Sequence, residues 1–144
     1  MGKKRVITKG GQSGDDAGEK SHNEPKAARH VSTGIAHIQA TYNNTLILIT
    51  DERGNALASA SAGGVGFSGT RKATPYAAAR VAEIVAEKAK RLGVTEISVR
   101  VSGVGSGRDS AVRSLANNGL GISSIRDITP IPHNGPRRPK VRRV

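Results

Sequence analysis

Residues 35–50 read IAHIQATYNNTLILIT, and the architecture can be worked out from this segment outward. Residues 35–42 are rich in strand-forming side chains and are predicted to form a strand. The pair Asn43-Asn44 can supply the positive φ angles of a tight hairpin turn. The apolar run within residues 45–50 is typical of a strand that is covered on both faces. The segment therefore predicts a β-hairpin.

A third strand and a helix follow the hairpin. Residues 56–62 are mostly small and come after a turn, and three strands with short links favour an antiparallel meander. Thr74 and Pro75 predict a helix start, because a capping hydroxyl precedes a proline in the first helical position. We expect this helix to run to about Leu92, where Gly93 supplies a left-handed stop.

The rest of the chain repeats the alternation of strand and helix. Residues 94–101 alternate apolar and polar side chains and predict a fourth strand. A second helix is expected at residues 109–117, and a fifth strand at residues 122–129. The order βββαβαβ predicts an α/β fold with a mixed five-stranded sheet that carries two helices.

Basic residues are concentrated at the two ends of the chain, which has a net charge of +12. Residues 1–30 hold seven basic and four acidic residues, residues 31–132 hold eleven and seven, and residues 133–144 hold five and none. We expect a disordered N-terminal arm (1–30), an α/β RNA-binding domain (31–132) and a basic, disordered C-terminal tail (133–144). An anionic membrane surface is disfavoured as the partner, because neither end has an amphipathic apolar face.

The sequence contains no set of residues with the spacing of a known catalytic motif. The segment GVGSGR at residues 103–108 resembles a dinucleotide fingerprint but has Arg where the last glycine belongs. The four histidines are scattered, and the chain has no cysteine. We therefore expect no enzymatic activity, no cofactor and no metal site. In the absence of a secretory signal or an apolar run of membrane-spanning length, a cytoplasmic location is the default.

Two glycine-rich loops place cations next to predicted helix starts. Arg71 and Lys72 precede the first helix, and Arg108 opens the second. Helix N-termini carry free N–H groups and partial positive charge, and glycines let a phosphate come close to the backbone. The alternative is that the glycines only form tight turns. The two loops together, next to two basic ends, favour RNA phosphates as the ligand.

The tail combines prolines with cations. Twelve extended residues reach roughly 40 Å, enough to thread between RNA helices. The chain has only two Tyr, one Phe and no Trp, so we expect recognition by shape and backbone rather than by stacking on aromatic platforms. Asn134-Gly135 is in addition a candidate site of isoaspartate formation, because the unhindered nitrogen of Gly135 can attack the Asn134 amide.

Several motifs together resemble the universal small-subunit ribosomal protein eleven family in its bacterial form. They are residues 34–45 (GIAHIQATYNNT), 50–51 (TD) with 54–57 (GNAL), 62–67 (AGGVGF), 71–78 (RKATPYAA), 107–111 (GRDSA) and 127–135 (DITPIPHNG). The resemblance covers the chain from about residue 31 to its end, and the last segment with the basic tail is its most specific part.

The resemblance implies a ribonuclease-H-like sheet of strand order 3-2-1-4-5 without nuclease activity. It also implies a place on the small-subunit platform, where the protein bridges ribosomal RNA (rRNA) helices and lines the Shine-Dalgarno cleft through which messenger RNA leaves. The implied neighbours are small-subunit proteins seven, eighteen and six, with messenger RNA as a further candidate partner. The implied RNA contacts are Asn43, Asn44, Ser68, Arg71, Lys72, Arg108, His133, Asn134, Arg137, Arg138, Lys140, Arg142 and Arg143.

Two hypotheses from other classes stay open at this point. One is a metal-dependent nuclease built on the same sheet, which would need several carboxylates to converge on metal ions. The other is a free-standing nucleic-acid chaperone, which would bind RNA without being retained in a ribosomal particle.

Overall fold

The computed structural model describes residues 31–140 and has the predicted element order. The predicted arm at residues 1–30 and the last four residues of the tail lie outside this range. The strands are β1 Thr33–Ala40, β2 Thr45–Thr50, β3 Ala56–Ser61, β4 Glu96–Ser102 and β5 Gly121–Asp127. The helices are α1 Pro75–Arg91 and α2 Gly107–Asn117, and a short 3-10 helix spans Gly69–Ala73.

The five strands form one sheet in the order β3-β2-β1-β4-β5. Strands β1, β2 and β3 are antiparallel neighbours, because short links can only reverse the chain direction. Strand β4 is parallel to β1, and β5 is parallel to β4, since the helices carry the chain back to the same end. This is the mixed sheet predicted from the sequence, with the strand order that the resemblance implies.

One face of the sheet is covered by both helices. A row of aligned residues crosses the sheet on this face, with Ala58 next to Ile49, Ile49 next to Ala36 and Ala36 next to Val99. All four side chains are buried, and they belong to a single hydrophobic core. Helix α1 contributes mainly alanines to this core, which lets it lie close to the sheet and to α2: Ala77, Ala78, Ala82, Ala86 and Ala89.

The opposite face of the sheet is not covered by any other described element, and this corrects the prediction for β2. Leu46 and Leu48 point to this face, where Leu46 is exposed and Leu48 is half-buried. Both helices follow strands that return them to the same side, so an apolar run in β2 does not imply two covered faces. His37 also lies on this face, where burial and the charge of neighbouring Arg100 lower its pKa.

Local signals define the ends of α1 as predicted. The Thr74 hydroxyl accepts a hydrogen bond from the N–H of Ala77 at 3.3 Å, and Pro75 is the first helical residue. Leu92 caps the other end, and Gly93 follows with φ +87°. Helix α2 begins at Gly107, two residues before the predicted start. Neither helix within residues 31–140 is long and apolar enough to cross a membrane.

Candidate nucleic-acid interface

Three loops and the start of the tail meet at one end of the sheet, which we call the loop end. It comprises the β1–β2 turn (residues 41–44), the loop before α1 (residues 62–74), the loop before α2 (residues 103–106) and residues 128–129. The carboxyl ends of the parallel strands β1, β4 and β5 lie here together with the N-termini of both helices. This is the edge of an open α/β sheet at which ligands usually bind.

Hydrogen bonds tie these loops to one another. The N–H of Gly105 donates to the carbonyl of Ala40 at 2.9 Å, which joins the α2 loop to the hairpin. The Ser106 hydroxyl donates to the carbonyl of Ala73 at 3.0 Å, which joins the α2 loop to the α1 loop. The loop end is therefore one connected surface rather than three separate loops.

The β1–β2 turn is closed by a side chain rather than by left-handed residues. Thr41 donates its N–H to the carbonyl of Asn44 at 2.9 Å, and its hydroxyl accepts the N–H of Asn44 at 3.1 Å. Asn134 is the only non-glycine residue with positive φ in the described part of the chain, so the predicted positive φ angles at Asn43 and Asn44 are wrong. A four-residue loop has room for ordinary φ angles, whereas a two-residue turn of the primed type does not.

Ser68, Arg71 and Lys72 lie in the loop before α1. Ser68 and Arg71 are exposed, and Lys72 is half-buried because its aliphatic stem lies against Gly63. Neither cation forms a salt bridge with an acidic residue of the described part. The carbonyl of Arg71 accepts the Thr74 hydroxyl at 2.8 Å, which fixes the loop to the first turn of α1. The backbone that carries the two cations is therefore fixed, and their charges are available to an anion.

Glycines let the α2 loop pack directly on the hairpin. A Cβ atom on Gly103, which has φ +98°, would lie 2.1 Å from the carbonyl oxygen of Ala40. A Cβ on Gly105 would lie 2.4 Å from the carbonyl oxygen of Thr41. These glycines are therefore required by the close packing of two backbones, a structural reason that differs from the tight turns considered as the alternative from the sequence. The need for glycine at these two positions is therefore explained without a phosphate, and it does not by itself indicate phosphate binding.

Arg108 is engaged within the protein. Its guanidinium forms a salt bridge with Asp127 and donates a hydrogen bond to the carbonyl of Gly103 at 2.8 Å. Hydrogen bonds from Thr129, together with the Arg108 charge, hold the pKa of Asp127 well below its usual range. The Arg108 side chain keeps about a third of its surface exposed. A phosphate could therefore contact the guanidinium while its bonds to Asp127 and Gly103 stay in place.

The described part of the tail leaves the loop end without regular secondary structure. The N–H of Ile128 donates to the carbonyl of Val101 at 2.8 Å, and Gly103 donates to the Thr129 hydroxyl at 3.1 Å. Beyond this anchor the predicted RNA-binding residues are exposed, and Asn134 has φ +53°. These residues are His133, Asn134, Arg137, Arg138 and Lys140. Arg142 and Arg143 lie outside the described residues.

Three features of the loop end were missed by sequence reasoning. Tyr42 lies in the hairpin turn with 78% of its surface exposed, whereas the sequence pattern had only indicated that it belongs to a strand. Ser106 and Thr129 act as connectors between loops that are distant in the sequence. A local sequence pattern cannot predict hydrogen bonds between loops that are distant in the sequence. Across residues 31–140, no three His, Asp or Glu side chains come together as a potential metal site.

Comparison with known proteins identifies the family. The family model of ribosomal protein S11 matches residues 34–143, which include every loop of the loop end and all of the tail except its last residue. The chain belongs to the ribosomal protein S11 family. This S11 chain is 52% identical over 128 residues to small ribosomal subunit protein uS11 of Solibacter usitatus (strain Ellin6076), covering 89% of this chain and 95% of that protein. The family predicted from the motifs is therefore confirmed, and it is a family of structural ribosomal proteins rather than of enzymes.

Proposed function

We propose that this S11 protein is a structural constituent of the small ribosomal subunit that binds and bridges rRNA helices there. The observation that carries the proposal is the loop end, where three hydrogen-bonded loops, two helix N-termini and the start of a cationic tail form one surface. Polyanion binding by such a surface is dominated by phosphate contacts. The relative from Solibacter usitatus, which is a small ribosomal subunit protein by name, supports the same assignment.

Two parts of the molecule would contact different RNA segments. Asn43, Asn44, Ser68, Arg71 and Lys72 form the rigid part, which offers the exposed amide of Asn43, the half-buried amide of Asn44, a hydroxyl and two cations to a phosphate backbone. Arg108 adds a partly exposed guanidinium. The tail is the second part, and its arginines can bind phosphate through two N–H groups each. A rigid surface and a reaching tail on one protein are what bridging of RNA helices requires.

The location within the subunit belongs to the same proposal. We place the protein on the platform, where it lines the Shine-Dalgarno cleft during translation in the cytoplasm. Its neighbours there would be small-subunit proteins seven, eighteen and six, and messenger RNA would pass nearby. The protein would act without a cofactor or a small-molecule substrate. Hydroxyl-radical cleavage from a probe tethered next to the loop end is expected to cut rRNA of the platform, and cuts confined to another part of the subunit would contradict this placement.

Sedimentation tests membership of the subunit. A tagged full-length chain is expected to travel with small subunits in a gradient at high salt. Its RNA contacts are spread over the loop end and the tail, so the chain dissociates only when all of them break at the same time. A nucleic-acid chaperone would wash off and stay at the top of the gradient. That result would overturn the proposal.

Salt dependence tests the role of the tail. Deletion of residues 137–144 removes five cations, so the slope of log affinity for rRNA against log salt should fall by roughly three to five units. A matched variant keeps the tail length but replaces the five cations with glutamine, and it should reproduce the change in slope. If both variants kept the wild-type slope, the tail would not be an RNA-binding arm.

A further inference from the structure

Tyr42 projects from the hairpin turn with 78% of its surface exposed. The other tyrosine, Tyr76, is also exposed but packs edge-to-face against Phe67, with ring centroids 5.9 Å apart. Tyr42 makes no aromatic contact and belongs to no hydrophobic cluster within residues 31–140. The fold therefore uses the ring of Tyr76 and leaves that of Tyr42 without a role.

The ring is carried on a rigid base. Thr41 closes the turn through its backbone and its hydroxyl, and its hydroxyl also accepts the N–H of Asn43 at 3.4 Å. Behind the turn, Gly105 donates to the carbonyl of Ala40. A tyrosine has only two side-chain torsions, so little further entropy is lost when its ring is covered by a partner. The turn thus presents a pre-organised flat apolar surface.

The surroundings of the ring favour a nucleic-acid base over an apolar protein pocket. Asn43 and Asn44 follow Tyr42 in the turn, so the ring stands next to polar residues, and Asn43 is exposed. The loop before α1 belongs to the same loop end and carries the cations Arg71 and Lys72; it is joined to the hairpin through the loop before α2. A partner that brings both a flat aromatic face and negative charge is a nucleic acid with an unpaired base.

We infer that the Tyr42 ring stacks on one unpaired base of the RNA that is bound at the loop end. The inference rests on the proposed function and adds to it a contact that is not electrostatic. The Asn43 side chain, which is exposed next to the ring in the chain, would donate to the edge of the same base. A single ring is not the aromatic platform of a single-strand-binding module, so phosphate contacts remain the main source of affinity.

Affinity for full-length small-subunit rRNA tests the stacking contact. Tyr42→Ala should weaken binding by between about 5-fold and about 150-fold, while the salt slope stays at the wild-type value. Tyr42→Phe keeps the ring and should bind like the wild type. Tyr42→Leu keeps apolar area without a π face and should resemble the alanine variant. Equal affinities for all variants, or a leucine variant that binds like the wild type, would overturn the inference.

Fluorescence gives a direct readout because the chain has two tyrosines and no tryptophan. In a Tyr76→Phe variant, Tyr42 is the sole emitter, and Phe preserves the ring that packs on Phe67. Stacking on a base should shorten the tyrosine fluorescence lifetime when rRNA binds. An unchanged lifetime in a complex that forms with normal affinity would refute stacking and leave the proposed function intact. Failure of the wild-type chain to bind rRNA would instead contradict the proposed function.

Discussion

Arg108 and Asp127 form a salt bridge that joins the start of α2 to the end of β5. The same guanidinium donates to the carbonyl of Gly103, and the same carboxylate accepts the N–H and the hydroxyl of Thr129 at 2.9 and 2.6 Å. The Thr129 hydroxyl in turn accepts the N–H of Gly103 at 3.1 Å. The four residues form a closed network that fixes the point from which the tail leaves the domain.

The Asp127 carboxylate is expected to make folding stability depend on pH. Its pKa in the folded state lies below the unfolded value of about 3.9, because Thr129 and Arg108 stabilise the charged form. The stabilisation is therefore fully present above about pH 4 and declines as the pH falls further. In Asp127→Asn, the free energy of unfolding should be lower at pH 7 and should fall less between pH 5 and pH 2. Urea unfolding across this pH range measures both effects.

A second variant separates this network from general acid unfolding. Thr129→Val removes the hydroxyl that donates to Asp127 and should reduce the pH dependence in part. Asp51, whose pKa is lowered mainly by a hydrogen bond from the Asn55 side chain, lies in the β2–β3 turn. Its contribution should remain in both variants. If the unfolding free energy of Asp127→Asn kept the wild-type pH profile, the network would have no energetic role.

Packing of the α2 loop on the hairpin predicts a large cost for Gly103→Ala. The new Cβ atom would meet the carbonyl oxygen of Ala40 at 2.1 Å, and the φ of +98° disfavours any side chain. Gly54→Ala is the matched control, because Gly54 has φ +89° and open space around its Cβ position. We expect a loss of about 1 kcal/mol for Gly54→Ala and roughly 3–5 kcal/mol for Gly103→Ala. Equal losses in thermal or urea unfolding would mean that the loop moves away without cost.

Much of the fold could be predicted because its signals are local. Thr74-Pro75 and Gly93 define α1 through backbone geometry that depends only on neighbouring residues. The alternation at residues 94–101 identifies β4 and its buried face. The directions of the strands follow from link lengths, since short links give antiparallel neighbours and helical crossovers give parallel ones. The position of β4 next to β1 does not follow from them, and the strand order was implied by the resemblance alone.

The candidate site was predictable only in part, because its geometry depends on residues distant in sequence. The β1–β2 turn is closed by Thr41 and not by the expected positive φ angles at Asn43-Asn44. The apolar run in β2 did not show that the helices would cover only one face of the sheet. The partner of Arg108 lies 19 residues away, so its charge looked free in the sequence. Such pairings arise when loops, helix starts and strand ends that are distant in the sequence meet in the folded chain, and no single segment encodes them.

The cap of α1 links stability to the cation-bearing loop. Thr74 accepts the N–H of Ala77 and donates to the carbonyl of Arg71, so Thr74→Ala removes both bonds. The loss in unfolding free energy should be about 1–2 kcal/mol. Thr74→Ser keeps the hydroxyl and should lose much less. A serine variant as unstable as the alanine variant would show that the methyl group, not the hydroxyl, is responsible.

The two cations before α1 should contribute to RNA binding through charge alone. The double variant Arg71→Gln with Lys72→Gln removes two candidate phosphate contacts, so the salt slope for rRNA should fall by roughly 1.4 to 1.8 units. Folding stability should barely change, since neither side chain forms a salt bridge within the described residues.

The matched control removes two exposed cations from the other end of α1, about 25 Å from the loop end. Lys90→Gln with Arg91→Gln changes the net charge by the same amount, so any effect of overall charge on RNA affinity is shared by the two double variants. Its salt slope should stay close to the wild-type value if phosphates contact the loop end specifically. It should also lose a few tenths of a kcal/mol of stability, because both cations lie at the negative end of the helix dipole. Equal slopes for the two double variants would show that RNA affinity depends on the charge of the whole domain. That result would contradict the assignment of the loop end as the rigid part of the interface.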